Sequence, residues 1–176
     1  TLYAVGSNEV NIGTPIPGVE IKIVGSDGCE IMDGSPGELH VRGPNVMLGY
    51  FRQPELTEAV IDKDGYLNTG DIVSVNSKQE MVVQGRTKEL IIRSGFNVYP
   101  PEIEAALNTH PAVLNSAVVG RSIEGNEEIV AFVEPVPGCH IEIDTLFALL
   151  DEQLARYKKP QKIIVMSQLP VAPNGK

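Results

Sequence analysis

Near Gly85 the spacing of apolar residues changes from every second position to every third or fourth, which calls for two kinds of structure in order along the chain. Upstream, Val19, Ile21 and Ile23 alternate with Glu20 and Lys22 in "VEIKIV", and Leu39 and Val41 alternate with His40 and Arg42 in "GELHVRG". Successive side chains of a strand point to opposite faces, so each segment predicts a strand buried on one side. "GSDG", "DGSPG" and "DKDG" hold turn-forming residues, and residues 10–85 therefore predict a small, mostly antiparallel β unit. Downstream, "ELIIRSG" predicts a strand ending in a glycine turn. Pro100 and Pro101 then precede "EIEAALNTH", where Ile103, Ala106 and Leu107 share one face of a short helix. "NSAVVG", "EEIVAFVEP" and "KIIVM" predict further strands. In "DTLFALLDEQLARY", Leu146, Leu149, Leu150, Leu154 and Tyr157 form one helical stripe, with Asp144 placed to cap its start. The fold class is α+β: a β-rich unit over residues 1–86, then a compact domain over 87–176 with helices on a small sheet, divided near "GRTKE".

The charge balance narrows the partners. Lys and Arg number 14 against 23 Asp and Glu, a net charge of −9, whereas a general affinity for nucleic acid or anionic lipid needs excess cation. Neither is expected as a partner, and an anionic ligand needs a local site. No apolar run nears the roughly 18 residues of a membrane span. Cys29 and Cys139 are too few and too far apart for a disulfide framework, which fits a reducing, cytoplasmic setting. The chain opens at Thr1 without methionine and closes on Lys176 directly after a glycine, as a piece of a longer protein would.

"GYLNTGD", residues 65–71, sets a threonine, a glycine and an acid side by side. Its glycines permit positive φ, and Asn68 and Asp71 bond readily to nearby backbone, so a turn between strands accounts for it in isolation. It is also the end of the first of three ordered blocks: "GELHVRGPNVMLGYFRQPELTEAVIDKDGYLNTGD", "GRTKELIIRSGFNVYPPEIE" and "LPVAPNGK". Together these resemble the adenylate-forming enzymes, the superfamily of acyl-CoA synthetases, luciferases and peptide-synthetase adenylation domains, through essentially the whole chain. Such enzymes join a carboxylic acid to ATP as an acyl adenylate, release pyrophosphate, and in most cases pass the acyl group to a thiol. The resemblance implies ATP, Mg2+ and coenzyme A as cofactors, a carboxylic acid as substrate, and coenzyme A or an acyl carrier protein as acceptor. It also implies that the family's phosphate loop lies upstream of Thr1, residues 1–86 ending a large N-terminal domain and residues 87–176 forming the small C-terminal one.

Position by position, the resemblance makes Asp71 the carboxylate that accepts hydrogen bonds from both ribose hydroxyls of ATP, for which two acceptor oxygens suit a vicinal diol. Arg86 matches the arginine at ribose and phosphate, where a guanidinium fork binds oxygens in pairs; otherwise it is a surface ion pair. Lys88 matches the hinge, often Asp and in some members Lys. "RSGFN", with Arg93 and Gly95, resembles the loop lining the path of coenzyme A's thiol arm, and equally an ordinary left-handed turn; the motif commonly has lysine where Ile92 stands. Lys176 matches the catalytic lysine of the closing "GK", where an ammonium would stabilise charge between carboxylate and α-phosphate. Arg156, Lys158, Lys159 and Lys162 form a basic cluster, read as a solvated face or as a contact for coenzyme A phosphates or an acidic carrier.

"YKKP" and "GFNVYPPEIE" resemble the coenzyme A ligases more than peptide-synthetase domains, whereas "NGK" is shared with the latter. The expected function is thus that of the C-terminal portion of an AMP-forming acyl-CoA ligase acting on a fatty acid or another carboxylic acid. This portion is expected to be inactive alone. The rival expectation is a module that docks a carrier protein without catalysis.

Overall fold

The computed structural model describes residues 10–170, which divide between two compact units, Thr1–Lys88 and Glu89–Lys176. In the first, β1 (Val10–Gly13), β2 (Glu20–Val24), β3 (Gly37–Arg42), β4 (Leu67–Val75) and β5 (Met81–Arg86) form one sheet in the order β1-β5-β4-β3-β2, with every pairing antiparallel. The alternation read in β2 and β3 holds: Ile23 and Leu39 are buried with Val73 and Met81, and Ile21 and Val41 pack on that cluster. Their neighbours face the other way, so Glu20 sits opposite Arg42 and pairs with it at 2.5 Å. A five-residue helix, α1 (Pro54–Glu58), lies between β3 and β4 and buries no residue of its own. Its sequence carried no helical stripe to announce it.

The second unit begins with a hairpin, β6 (Ile91–Arg93) and β7 (Phe96–Val98), followed by α2 (Pro100–Leu107). Both prolines lie inside the first turn of α2, not ahead of it, where the missing amide costs nothing. β8 (Val113–Ile123) and β9 (Asn126–Pro135) make a long antiparallel hairpin, α3 (Ile143–Gln153) crosses over, and β10 (Lys162–Val165) returns parallel to β9. The helices cover the resulting β10-β9-β8 sheet, and Ile103, Leu107, Ile129, Val133, Leu146 and Leu150 are buried between them.

Two helix-end expectations are corrected. Asp144 is not the cap: that position belongs to Glu142, two residues earlier, and Asp144 falls in the first turn of α3, where an anion still favours the helix N-terminus. The stripe does not run to Tyr157 as one helix, because Leu154 is extended (φ −120°, ψ 144°) and a separate 3-10 turn, Arg156–Lys158, follows. Leu154 and Tyr157 still pack on the core, the latter from that turn. Among the described residues no helix is long and apolar enough to cross a membrane.

Candidate functional site

"NTGD" lies inside β4, not in a turn between strands. Glu38 of β3 pairs with Ile72 and His40 with Asn68, so Thr69, Gly70 and Asp71 bulge opposite Leu39 alone. A bulge deprives amides of their ladder partners, and side chains replace them. Asn68 Oδ1 accepts from the Gly70 amide at 2.8 Å, and Thr69 Oγ1 accepts from the Asp71 amide at 3.1 Å while donating to Leu39 O at 3.0 Å. Gly70 has φ 71°, a left-handed conformation a side chain would resist. The turn chemistry read in the sequence is therefore real, but it serves a bulge.

On its other edge β4 pairs with β5, and Asp71 stands directly opposite Arg86. The Arg86 Nε donates to Asp71 Oδ1 at 2.8 Å, with Nη2 3.5 Å from Thr69 O. Both side chains remain accessible, 34% for Asp71 and 58% for Arg86. The bulge thus presents a carboxylate and a guanidinium together at the surface, one able to accept from hydroxyls and the other able to donate to anionic oxygens. Lys88 follows at once, exposed, in the middle of a 3-10 turn over Thr87–Glu89. Glu38, which sequence reasoning passed over, accepts from Thr87 Oγ1 and from Asn68 Nδ2 beside this pair.

In the second unit Ser94 and Gly95 form the two-residue turn of the β6–β7 hairpin, with φ 50° and 82°. A Cβ on Gly95 would meet nothing within 4 Å, so inside the chain the glycine is required by φ and not by a close approach. Arg93 points inward: its Nη1 donates to Tyr157 O at 2.9 Å and Lys159 O at 2.8 Å. The Ile92 amide donates to Glu127 Oε2 at 2.6 Å and the Ser94 amide to Asn126 Oδ1 at 2.8 Å, which pins the hairpin to the start of β9. Ile92 and Phe96 are exposed on the hairpin beside Ser94 and Asn97, and Phe96 stacks on Tyr157 with centroids 4.7 Å apart.

The basic cluster is partly neutralised. Lys158 binds both oxygens of Glu102, at 2.6 and 2.7 Å, and Lys159 bonds Asp151, leaving Arg156 and Lys162 exposed without ion pairs among the described residues. Burial would depress the Lys158 ammonium, but the Glu102 carboxylate outweighs it and holds the group above its ordinary value. Lys176 lies outside the described residues. Among the described residues no three His, Cys, Asp or Glu side chains are grouped to hold a metal ion.

Two family patterns match separate parts of the chain. The family described as "AMP-binding enzyme" matches residues 3–51, and "AMP-binding enzyme C-terminal domain" matches residues 102–176. The chain is 38% identical to 4-coumarate–CoA ligase 1 of Oryza sativa subsp. japonica, over 93% of this chain and 30% of that protein. It is 37% identical to a long-chain-fatty-acid–CoA ligase of Escherichia coli O157:H7, over 99% of this chain and 31% of the relative. Among solved structures, ATP-bound MatB from Rhodopseudomonas palustris is similar with a TM-score of 0.86 and 36% identity, covering 94% of this chain and 33% of that one. The chain spans a little under a third of the length of the curated relatives it matches. With motifs, fold and both family patterns in agreement, the chain belongs to the adenylate-forming AMP-binding enzymes and carries the pattern of their C-terminal domain over residues 102–176.

Proposed function

We propose that the whole protein is an ATP-dependent, AMP-forming acid–thiol ligase of the cytoplasm that activates a carboxylic acid as its acyl adenylate and transfers the acyl group to coenzyme A. The observation that carries the reading is the Asp71–Arg86 pair, held in register across two strands on a bulge built from "NTGD". Asp71 accepts from the ribose hydroxyls, Arg86 donates to ribose or phosphate oxygens, and Lys176 stabilises the charge that grows as carboxylate and α-phosphate join. The Gly95 hairpin serves the thiol step, with Lys88 as the hinge between the two settings. Relatives named for coumarate and for long-chain fatty acids match nearly equally, at 38% and 37%, so these residues do not select the acid.

The test is ATP–pyrophosphate exchange by the intact enzyme across aromatic, short-chain and long-chain acids, followed by thioester formation with coenzyme A. Exchange with one class of acid is expected, and Asp71→Ala should weaken ATP binding about tenfold or more, the scale of a lost charge-assisted hydrogen bond. The 176-residue chain alone should exchange nothing. An intact protein that binds a carrier protein yet exchanges pyrophosphate with no acid contradicts the reading.

A further inference from the structure

Glu38 takes no part in the roles above, yet its half-buried carboxylate touches the strand that bears Asp71 and the residue that follows Arg86. Oε1 accepts from Thr87 Oγ1 at 2.5 Å, and Oε2 accepts from Asn68 Nδ2 at 3.0 Å. The Asn68 amide has one workable orientation, because its Oδ1 already accepts from the Gly70 amide. The hydrogen bonds therefore run from Thr87 through Glu38 and Asn68 to Gly70. One end lies next to Arg86 and the other next to Asp71. His40 Nε2 is 4.0 Å from the same carboxylate, is buried without a hydrogen-bond partner, and does not replace either link.

We propose that Glu38 is a positioning residue for nucleotide binding, fixing the bulge that aims Asp71 and the backbone that follows Arg86. The inference rests on reading Asp71 as the acceptor of the ribose hydroxyls. Thr69 to Asp71 lack regular ladder bonds to β3, and Gly70 is conformationally free, so side-chain bonds must hold the carboxylate in place. Two hydroxyls are bound together only if that carboxylate keeps one position. Hydrogen bonding, not charge, does this work: a glutamine at 38 presents its oxygen to Asn68 Nδ2 and its amide to the Thr87 hydroxyl, which accepts as well as donates.

The experiment is equilibrium titration of the intact enzyme with ATP and with 2′-deoxyATP, with thermal unfolding of each variant alongside. The wild type should favour ATP, and Asp71→Ala should abolish the preference. Glu38→Ala should cut the ratio of the two affinities by roughly three- to tenfold, the worth of about one net hydrogen bond. Glu38→Gln should restore it, and Thr87→Val, a surface change that removes one link, should reduce it in part. A Glu38→Ala enzyme that is less stable with an unchanged ratio overturns the proposal; if that variant does not fold, an unchanged ratio in Thr87→Val does the same. If the wild type and Asp71→Ala bind the two nucleotides alike, the reading of Asp71 itself has failed.

Discussion

Arg86 and Arg93 stand seven positions apart in one block, and the structure gives them different work. Arg86 is exposed beside a carboxylate, whereas Arg93 is spent on the carbonyls of Tyr157 and Lys159, holding the 3-10 turn against the β6–β7 hairpin. Residue type and motif order placed both in the region; only backbone geometry tells which guanidinium stays exposed. Glu104 offers a sharper residue-scale test. Burial pushes its carboxyl above the ordinary carboxylate range, the Val118 amide that bonds Oε1 at 2.8 Å opposes this, and the charge of Glu89 adds to it. The native state thus holds this proton more tightly than the unfolded chain does, so Glu104's favourable contribution is complete at low pH and is lost as pH rises through the raised value. Glu104→Gln keeps an oxygen for Val118 and carries no charge. Its urea midpoint should therefore gain on wild type as pH climbs through the carboxylate range and hold a constant lead above it; a difference independent of pH would contradict the burial account.

Among the elements, those with a regular period were legible and those built from exceptions were not. The stripes of α2 and α3 and the alternation of β2 and β3 reflect one-sided burial, which leaves its period in the sequence. β4 hid because Thr69–Asp71 interrupt its alternation, and β7 hid because "FNV" exposes Phe96 and Asn97 and buries only Val98. The end of α3 was also illegible, since Leu154 and Tyr157 reach the same core after the helix has stopped. The β6–β7 hairpin carries its own prediction. Because open space surrounds the missing Cβ, Gly95→Ala in the intact enzyme should cost only about 1 kcal/mol of stability, the left-handed penalty of an ordinary residue. Should thiolysis of a supplied acyl adenylate fall far more than adenylation in that variant, the glycine is needed by the incoming thiol arm as well as by the turn.

For the whole molecule, charge narrowed the expected partners, the change of period suggested two parts, and the ordered motifs pointed to its family. What spacing could not supply was the support of Asp71, because Glu38, Asn68 and Thr87 lie far apart in sequence and meet only through strand register. The proposed machinery is split between the compact units Thr1–Lys88 and Glu89–Lys176: the Asp71–Arg86 pair falls in the first, and the Gly95 hairpin and Lys176 fall in the second. The account's central claim is that these pieces serve two half-reactions in turn, with the chain pivoting at Lys88. Single-turnover kinetics of each half-reaction in the intact enzyme tests this most directly. Lys176→Ala should cripple adenylation and leave thiolysis of a supplied acyl adenylate largely intact, since that step joins no two anions. Lys88→Pro, which restricts φ at the pivot, should spare adenylation and slow thiolysis. Similar slowing of both steps in both variants would contradict the account.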